Sequence, residues 1–258
     1  MSAGGGGSRD EVIDSAGNRL WAHTARPAIR DAAGRRGLVL AHGFPTGTKW
    51  AESSGRTYPE FADRIAAEAG WTVLAFNFRG IGRSDGDFSI RGWLDDLRAA
   101  VAHLRASGDV DGVWLAGFRT GGALAICAAA GDPEIRGVAT FGAPADFDDW
   151  ASDPRRALDQ ARQLGVVRHA DFPDDVAVWA QELKETRALD VVDRIPPRPL
   201  MIVHGSIDDT VALSDARVLA DAAITADLRV ITGAGHRLRH DPRAVALLLG
   251  WLDRQAVG

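Results

Sequence analysis

The sequence predicts an α/β fold: a mostly parallel sheet of eight strands with helices on both faces and a small helical cap. Three observations predict it. From about Glu11 onward, short apolar runs alternate with segments of helical periodicity. Runs such as Gly37–Ala41 are continuously apolar, as strands covered on both faces require. The alternation breaks once, between about Asp148 and Arg194, where helical segments follow one another without a strand.

The elements follow in order. Residues Glu11–Asp14 and Leu20–Thr24 flank Gly17-Asn18 and read as a hairpin. Gly37–Ala41 is the first central strand and ends at His42-Gly43-Phe44-Pro45. Tyr58–Ala69 reads as helix and Trp71–Phe76 as the next strand. Between Ile90 and Ser107, Trp93, Leu97, Val101 and Leu104 recur every three or four residues, which gives a helix one apolar face. Val113–Ala116 is a strand running into Gly117, followed by a helix through Ala123–Ala130. Gly137–Phe141, Leu200–Val203 and Leu228–Ile231 complete the strands, with a helix near Leu213–Ala222. The last helix starts with Asp241 at its N-cap and Pro242 at its first position, and Val245, Leu248, Leu249 and Leu252 form its buried face. The expected organisation is a Gly-rich tail (1–9), a core (10–147 and 195–258) and a cap insertion (148–194).

Composition narrows the function classes. The chain has 258 residues, 46% apolar and 25% charged, with a formal net charge of −5. That balance gives no reason to expect nucleic acid or an anionic membrane as partner. Cys127 is the only cysteine, so no disulfide forms within the chain. No early segment has the pattern of a signal peptide and no apolar run is long enough to span a bilayer, so a cytoplasmic protein is expected. The partner expected is a small molecule, with no metal and no cofactor.

In open α/β sheets, ligands bind at the carboxyl ends of the strands. Those ends carry His42-Gly43-Phe44-Pro45, then Gly117-Phe118-Arg119-Thr120-Gly121-Gly122, then His204-Gly205-Ser206-Ile207-Asp208, then Gly233-Ala234-Gly235-His236. With Arg79-Gly80-Ile81-Gly82-Arg83-Ser84, these motifs in this order resemble the α/β-hydrolase superfamily, most closely its serine esterase and aminopeptidase-like members. The resemblance covers nearly the whole chain after residue 10.

It implies that Gly117 and Gly121 frame a nucleophile elbow. The residue between them is Arg119, whose permanently protonated guanidinium cannot attack a carbonyl. By the same resemblance His236 is the general base and Asp208 the acid that orients it, with Asp209 and Asp146 as alternatives. The backbone amides of Phe44 and Thr120 form the oxyanion hole. Thr120 is a poor replacement nucleophile, because re-centring the turn on it puts Phe118 where a glycine belongs. Cys127 reads as a core residue, and Ser53, Ser54, Ser84 and Ser206 as loop serines. His42 and His204 read as turn-packing histidines. The spacing of His236 and His240 matches a zinc helix but lacks the glutamate. Phe147, Trp150 and Trp179 either line the site from the cap or form the core of the cap itself.

Three readings of Arg119 remain open. It clamps a carboxylate or phosphate while His236 activates water or abstracts a substrate proton, in a hydrolase-like enzyme without a covalent intermediate or in a histidine-base lyase or cofactor-free enzyme of the same fold. It holds an anionic ligand, or closes the pocket by pairing with Asp208, in a non-catalytic binding protein. Or it marks a recently inactivated esterase.

Overall fold

The computed structural model describes residues 7–28 and 35–256. Residues 1–6 of the expected tail lie outside the described residues. The elements are β1 (Arg9–Ser15), β2 (Asn18–Ala25), β3 (Arg36–Ala41), α1 (Thr48–Ala69), β4 (Thr72–Phe76), α2 (Ile90–Ala106), β5 (Gly112–Phe118), α3 (Thr120–Gly131) and β6 (Ile135–Phe141). They continue with α4 (Asp148–Ser152), α5 (Pro154–Gln163), α6 (Val176–Glu185), β7 (Leu200–Gly205), α7 (Leu213–Ala222), β8 (Asp227–Ile231) and α8 (Pro242–Ala256).

The eight strands form one sheet in the order β1-β2-β4-β3-β5-β6-β7-β8. β1 and β2 pair antiparallel, β2 meets β4 antiparallel, and all later pairs are parallel. The expected mostly parallel sheet with helices is therefore what the chain builds.

The two-residue period of the strands divides the core. Val39, Ala41, Leu74 and Phe76 face one apolar layer, where α2 and α3 contribute Trp93, Leu97 and Leu124. Leu38, Leu40, Val73 and Ala75 face the other, with Ile65 of α1 and Leu248 of α8. Each fully buried side chain of this size stabilises the fold by about 1.5–3 kcal/mol relative to exposure. Both faces are covered, which explains why these strands read as continuous apolar runs.

Two boundaries differ from expectation. α1 begins at Thr48, ten residues before the expected start at Tyr58, and so takes in Ser53 and Ser54, which were expected in a loop. Ser53-Ser54-Gly55 has low intrinsic helix propensity, so the sequence pattern hides this first half. Arg9, expected in the tail, already belongs to β1, and the Ser8 hydroxyl donates to Asp63.

Residues 148–194 hold α4, α5, α6 and a 3-10 turn at Val192–Arg194, with no strand. Their middle is fastened to the loop after β4. Arg168 donates to the carbonyls of Gly80, Gly82 and Ser84, and the amides of Arg168 and His169 donate to the Asp87 carboxylate. Ser84 is fully buried there, accepting from the Trp21 amide and donating to the Asn77 carbonyl. In the same loop Arg79 grips Asp96, whose side chain is 0% exposed, through its amide and its guanidinium. Among the described residues no helix is long and apolar enough to cross a membrane.

Candidate active site

The parallel strands end at one edge, and the candidate residues gather there. Arg119 stands on the turn from β5 into α3 with φ 54° and ψ −122°, a conformation that costs a non-glycine residue about 1–3 kcal/mol. The surroundings enforce it. The Arg119 amide donates to the Phe141 carbonyl at 2.8 Å, and its own carbonyl accepts from the Gly122 and Ala123 amides. The flanking glycines permit the tightness: a Cβ on Gly121 would sit 2.4 Å from the His42 carbonyl oxygen, and one on Gly117 2.3 Å from that of Gly121. Chain packs against chain here with no room for a side chain.

Arg119 borders two cavities. One, of about 420 Å³, is lined by Gly43, Phe44, Tyr58, Arg119, His236, Arg237 and Arg239, among others. The other, of about 320 Å³, lies toward α4 and α5 and is lined by Phe44, Arg119, Thr120, Phe147 and Trp150, among others. Burial pulls the guanidinium below its ordinary pKa, with Asp208, Tyr58 and Asp209 opposing that shift. Among the described residues no carboxylate lies within 4 Å of it and no side chain hydrogen-bonds to it. Asp208 and Asp209 offset part of the cost of desolvating this cation, but neither makes contact with it.

His236 follows β8 and opens onto the larger cavity. Its Nδ1 lies 3.2 Å from Asp209 Oδ1. Hydrogen bonds from the Thr210 hydroxyl and its own backbone, then from His236, hold the Asp209 carboxyl below the usual range. The side chain of Asp208 is 0% exposed. Its Oδ1 accepts from the Thr210 and Val211 amides, while Oδ2 has no hydrogen-bond partner. Asp208, Asp209 and His236 each bring a potential ligand atom within 4.8 Å of the others, the one such grouping among the described residues. Arg119 brings a positive charge close enough to feel both carboxylates.

The Phe44 amide donates to the Thr120 hydroxyl at 3.4 Å. The Thr120 amide sits in the first turn of α3, where no intrahelical acceptor exists. The Phe44 ring packs edge-on against Phe88 and Trp150, which ties this loop to α4.

The other histidines at strand ends are structural. His42 is completely buried, its Nδ1 donating to the Gly43 carbonyl and its Nε2 accepting from the Phe78 amide. Burial pushes its pKa down to about 4. His204 is also fully buried and donates to the Val211 carbonyl. Asp146, one alternative acid, pairs with Arg187 instead. Burial pushes the Cys127 thiol up to about 12, in keeping with a core position. Phe147 and Trp150 line the smaller cavity. Trp179 lines neither cavity: it is buried against Phe88, whose carbonyl accepts its indole N–H.

Sequence reasoning passed over Tyr58, Arg237 and Arg239 as site residues. The signal was present in the run His236-Arg237-Leu238-Arg239-His240, read there only as a weak zinc pattern.

The chain belongs to the α/β hydrolase family, whose model matches residues 38–247. Solved structures share its fold over nearly their whole length. Est1E from Butyrivibrio proteoclasticus, with ferulic acid bound, is 20% identical with a TM-score of 0.73, covering 96% of this chain and 98% of that one. The α/β hydrolase GrgF from Penicillium sp. sh18 is 20% identical with a TM-score of 0.75, covering 98% and 100%. The Pyrococcus furiosus esterase Pf2001 is 20% identical with a TM-score of 0.68, covering 98% and 92%.

Proposed function

We propose that this chain is a hydrolase that works without a covalent intermediate, on a small ester- or amide-type molecule carrying an anionic group. The carrying observation is Arg119: a cation on the strained turn, bordering both cavities, with no contact ion pair among the described residues. Its planar fork suits bidentate capture of a carboxylate or phosphate, and capture fixes the substrate against the base.

In this reading His236 takes a proton from water as the oxygen adds to the substrate carbonyl. The Phe44 and Thr120 amides meet the developing oxyanion, which displaces the long Thr120 hydroxyl contact from Phe44. The C–O or C–N bond then breaks, and His236 returns the proton to the leaving atom. Asp208 is the buried carboxylate for the imidazolium, its unpartnered Oδ2 being the acceptor that a small rotation of His236 reaches. The helical segment 148–194 acts as the cap that shapes the smaller cavity.

A second reading, a non-catalytic ligand-binding protein, is favoured by one observation. His236 hydrogen-bonds to the exposed Asp209, whose side chain is 81% exposed, and not to Asp208.

Hydrolysis of short acyl and ω-carboxyacyl p-nitrophenyl esters by wild type, Arg119→Ser and His236→Ala separates the two. Activity of wild type that His236→Ala loses, with preference for the carboxylated esters, is the expected result. Inert wild type beside an active Arg119→Ser variant overturns the catalytic reading and leaves binding.

A further inference from the structure

The larger cavity holds more positive charge than one clamp requires. Besides Arg119 it is lined by the guanidiniums of Arg237 and Arg239, and no acidic side chain lines it among the described residues. This occurs in a chain whose formal net charge is −5. Neither Arg237 nor Arg239 has a carboxylate within 4 Å among the described residues, whereas neighbouring Arg243 pairs with Asp241.

Arg239 is also held in place. Its guanidinium carbon stacks 4.6 Å from the centroid of the Tyr58 ring, Nη1 donates to the Thr57 carbonyl, and Nη2 lies 2.9 Å from His240 Nε2. Burial and the charges of Arg239 and Arg237 together lower the His240 pKa, as expected when like charges crowd without an anion between them. A guanidinium fixed as that of Arg239 is, facing a cavity without an ion-pair partner, is prepared for an oxyanion before the ligand arrives, and Arg237 adds a second charge beside it.

We infer that the 236–240 loop forms a second oxyanion subsite, and that the natural ligand is dianionic, with one group at Arg119 and another at Arg237 and Arg239. The inference rests on Arg119 as the first clamp. The shared chemistry is a small molecule with two anionic ends, the distal one a carboxylate or a phosphate-like group. The apolar walls supplied by Phe44, Phe118 and Phe141 suit the carbon chain between them.

The test is calorimetric titration of the full chain with the dicarboxylates from succinate to pimelate, their monomethyl esters, and 3-phosphonopropionate. At one chain length at least, the diacid should bind ~10-fold or more tightly than its monomethyl ester, corresponding to about 1.4 kcal/mol. The Arg237→Gln/Arg239→Gln double variant should lose that advantage while binding the monoester as wild type does. Arg119→Gln should weaken both. A distal carboxylate shows as preference for a diacid, a phosphate-like group as preference for the phosphonate. Monoesters binding as tightly as every dianion overturn the second subsite and leave Arg119 standing. Monoester binding unaffected by Arg119→Gln overturns the first clamp, and the dianion inference with it. An advantage that survives the double variant also refutes the subsite, because it places the second charge elsewhere.

Discussion

Replacing Arg119 should make the protein more stable, and the size of the gain can be worked from two properties of the residue. Its backbone stands at φ 54° and ψ −122°, where any residue with a Cβ loses about 1–3 kcal/mol. Its guanidinium is partly desolvated, and the nearby carboxylates of Asp208 and Asp209 offset only part of that cost. Arg119→Ala removes only the second burden, and Arg119→Gly removes both. Glycine gives back about 0.5–1 kcal/mol through the greater freedom of its unfolded chain. The glycine variant should therefore exceed the alanine variant by about 1 kcal/mol, which is about 3 °C in melting temperature for a chain of this size. Both should melt above wild type. The assay is thermal unfolding followed by circular dichroism, without and with a bound dicarboxylate. Ligand should raise the wild-type midpoint by more than those of the two variants. An Arg119→Gly variant melting at or below Arg119→Ala would refute the claim that this turn is strained.

Two further outcomes are expected. His42, with its pKa lowered to about 4, is neutral in the fold while the unfolded chain takes up a proton below about 6.5. Stability should thus fall as pH drops from 6.5 to 4 and be flat in this respect below, a loss of about 3 kcal/mol. His42→Gln lacks it, so parallel pH profiles from urea melts of the two proteins would contradict the assignment. Asp96→Asn leaves Arg79 facing a neutral amide where a buried carboxylate stood, and should cost about 3–5 kcal/mol. A shift below 1 kcal/mol in urea-midpoint experiments would mean that the pair is dispensable.

The sheet was legible because its code is simple. Strands buried on both faces read as apolar runs, and α2 showed its inner face through Trp93, Leu97, Val101 and Leu104, each no more than 2% exposed. The start of α1 was not legible, since Ser53-Ser54-Gly55 forms helix against its own propensities. Of the candidate site, the positions carried by fixed spacing were readable: Gly117 and Gly121 announced a tight turn, and the residue inside it was visibly arginine. What spacing cannot carry is rotamer and partner. Asp208 and Asp209 are adjacent in sequence, and which of them meets His236 depends on how one short loop uses its amides. Tyr58 and Arg239 are far apart along the chain, and only the packing of α1 against the 236–240 loop brings them together.

The fastening of residues 166–169 to the loop after β4 also governs how the helical segment can move. Val166 accepts from the Phe88 amide, Arg168 holds three carbonyls, and Asp87 is taken by Arg168 and His169. At a net ~1 kcal/mol for each bond, lifting the segment as a single lid costs more than 5 kcal/mol. α4 and α5 precede this point in the chain and α6 follows it, and α4 packs directly on α6, so the three helices are pinned as one block. Trp150 of α4 also touches Phe44, so this block is packed on the loop whose amide donates to Thr120. The smaller cavity, walled by Phe44 and Trp150, is therefore bounded by parts that the same anchor holds together.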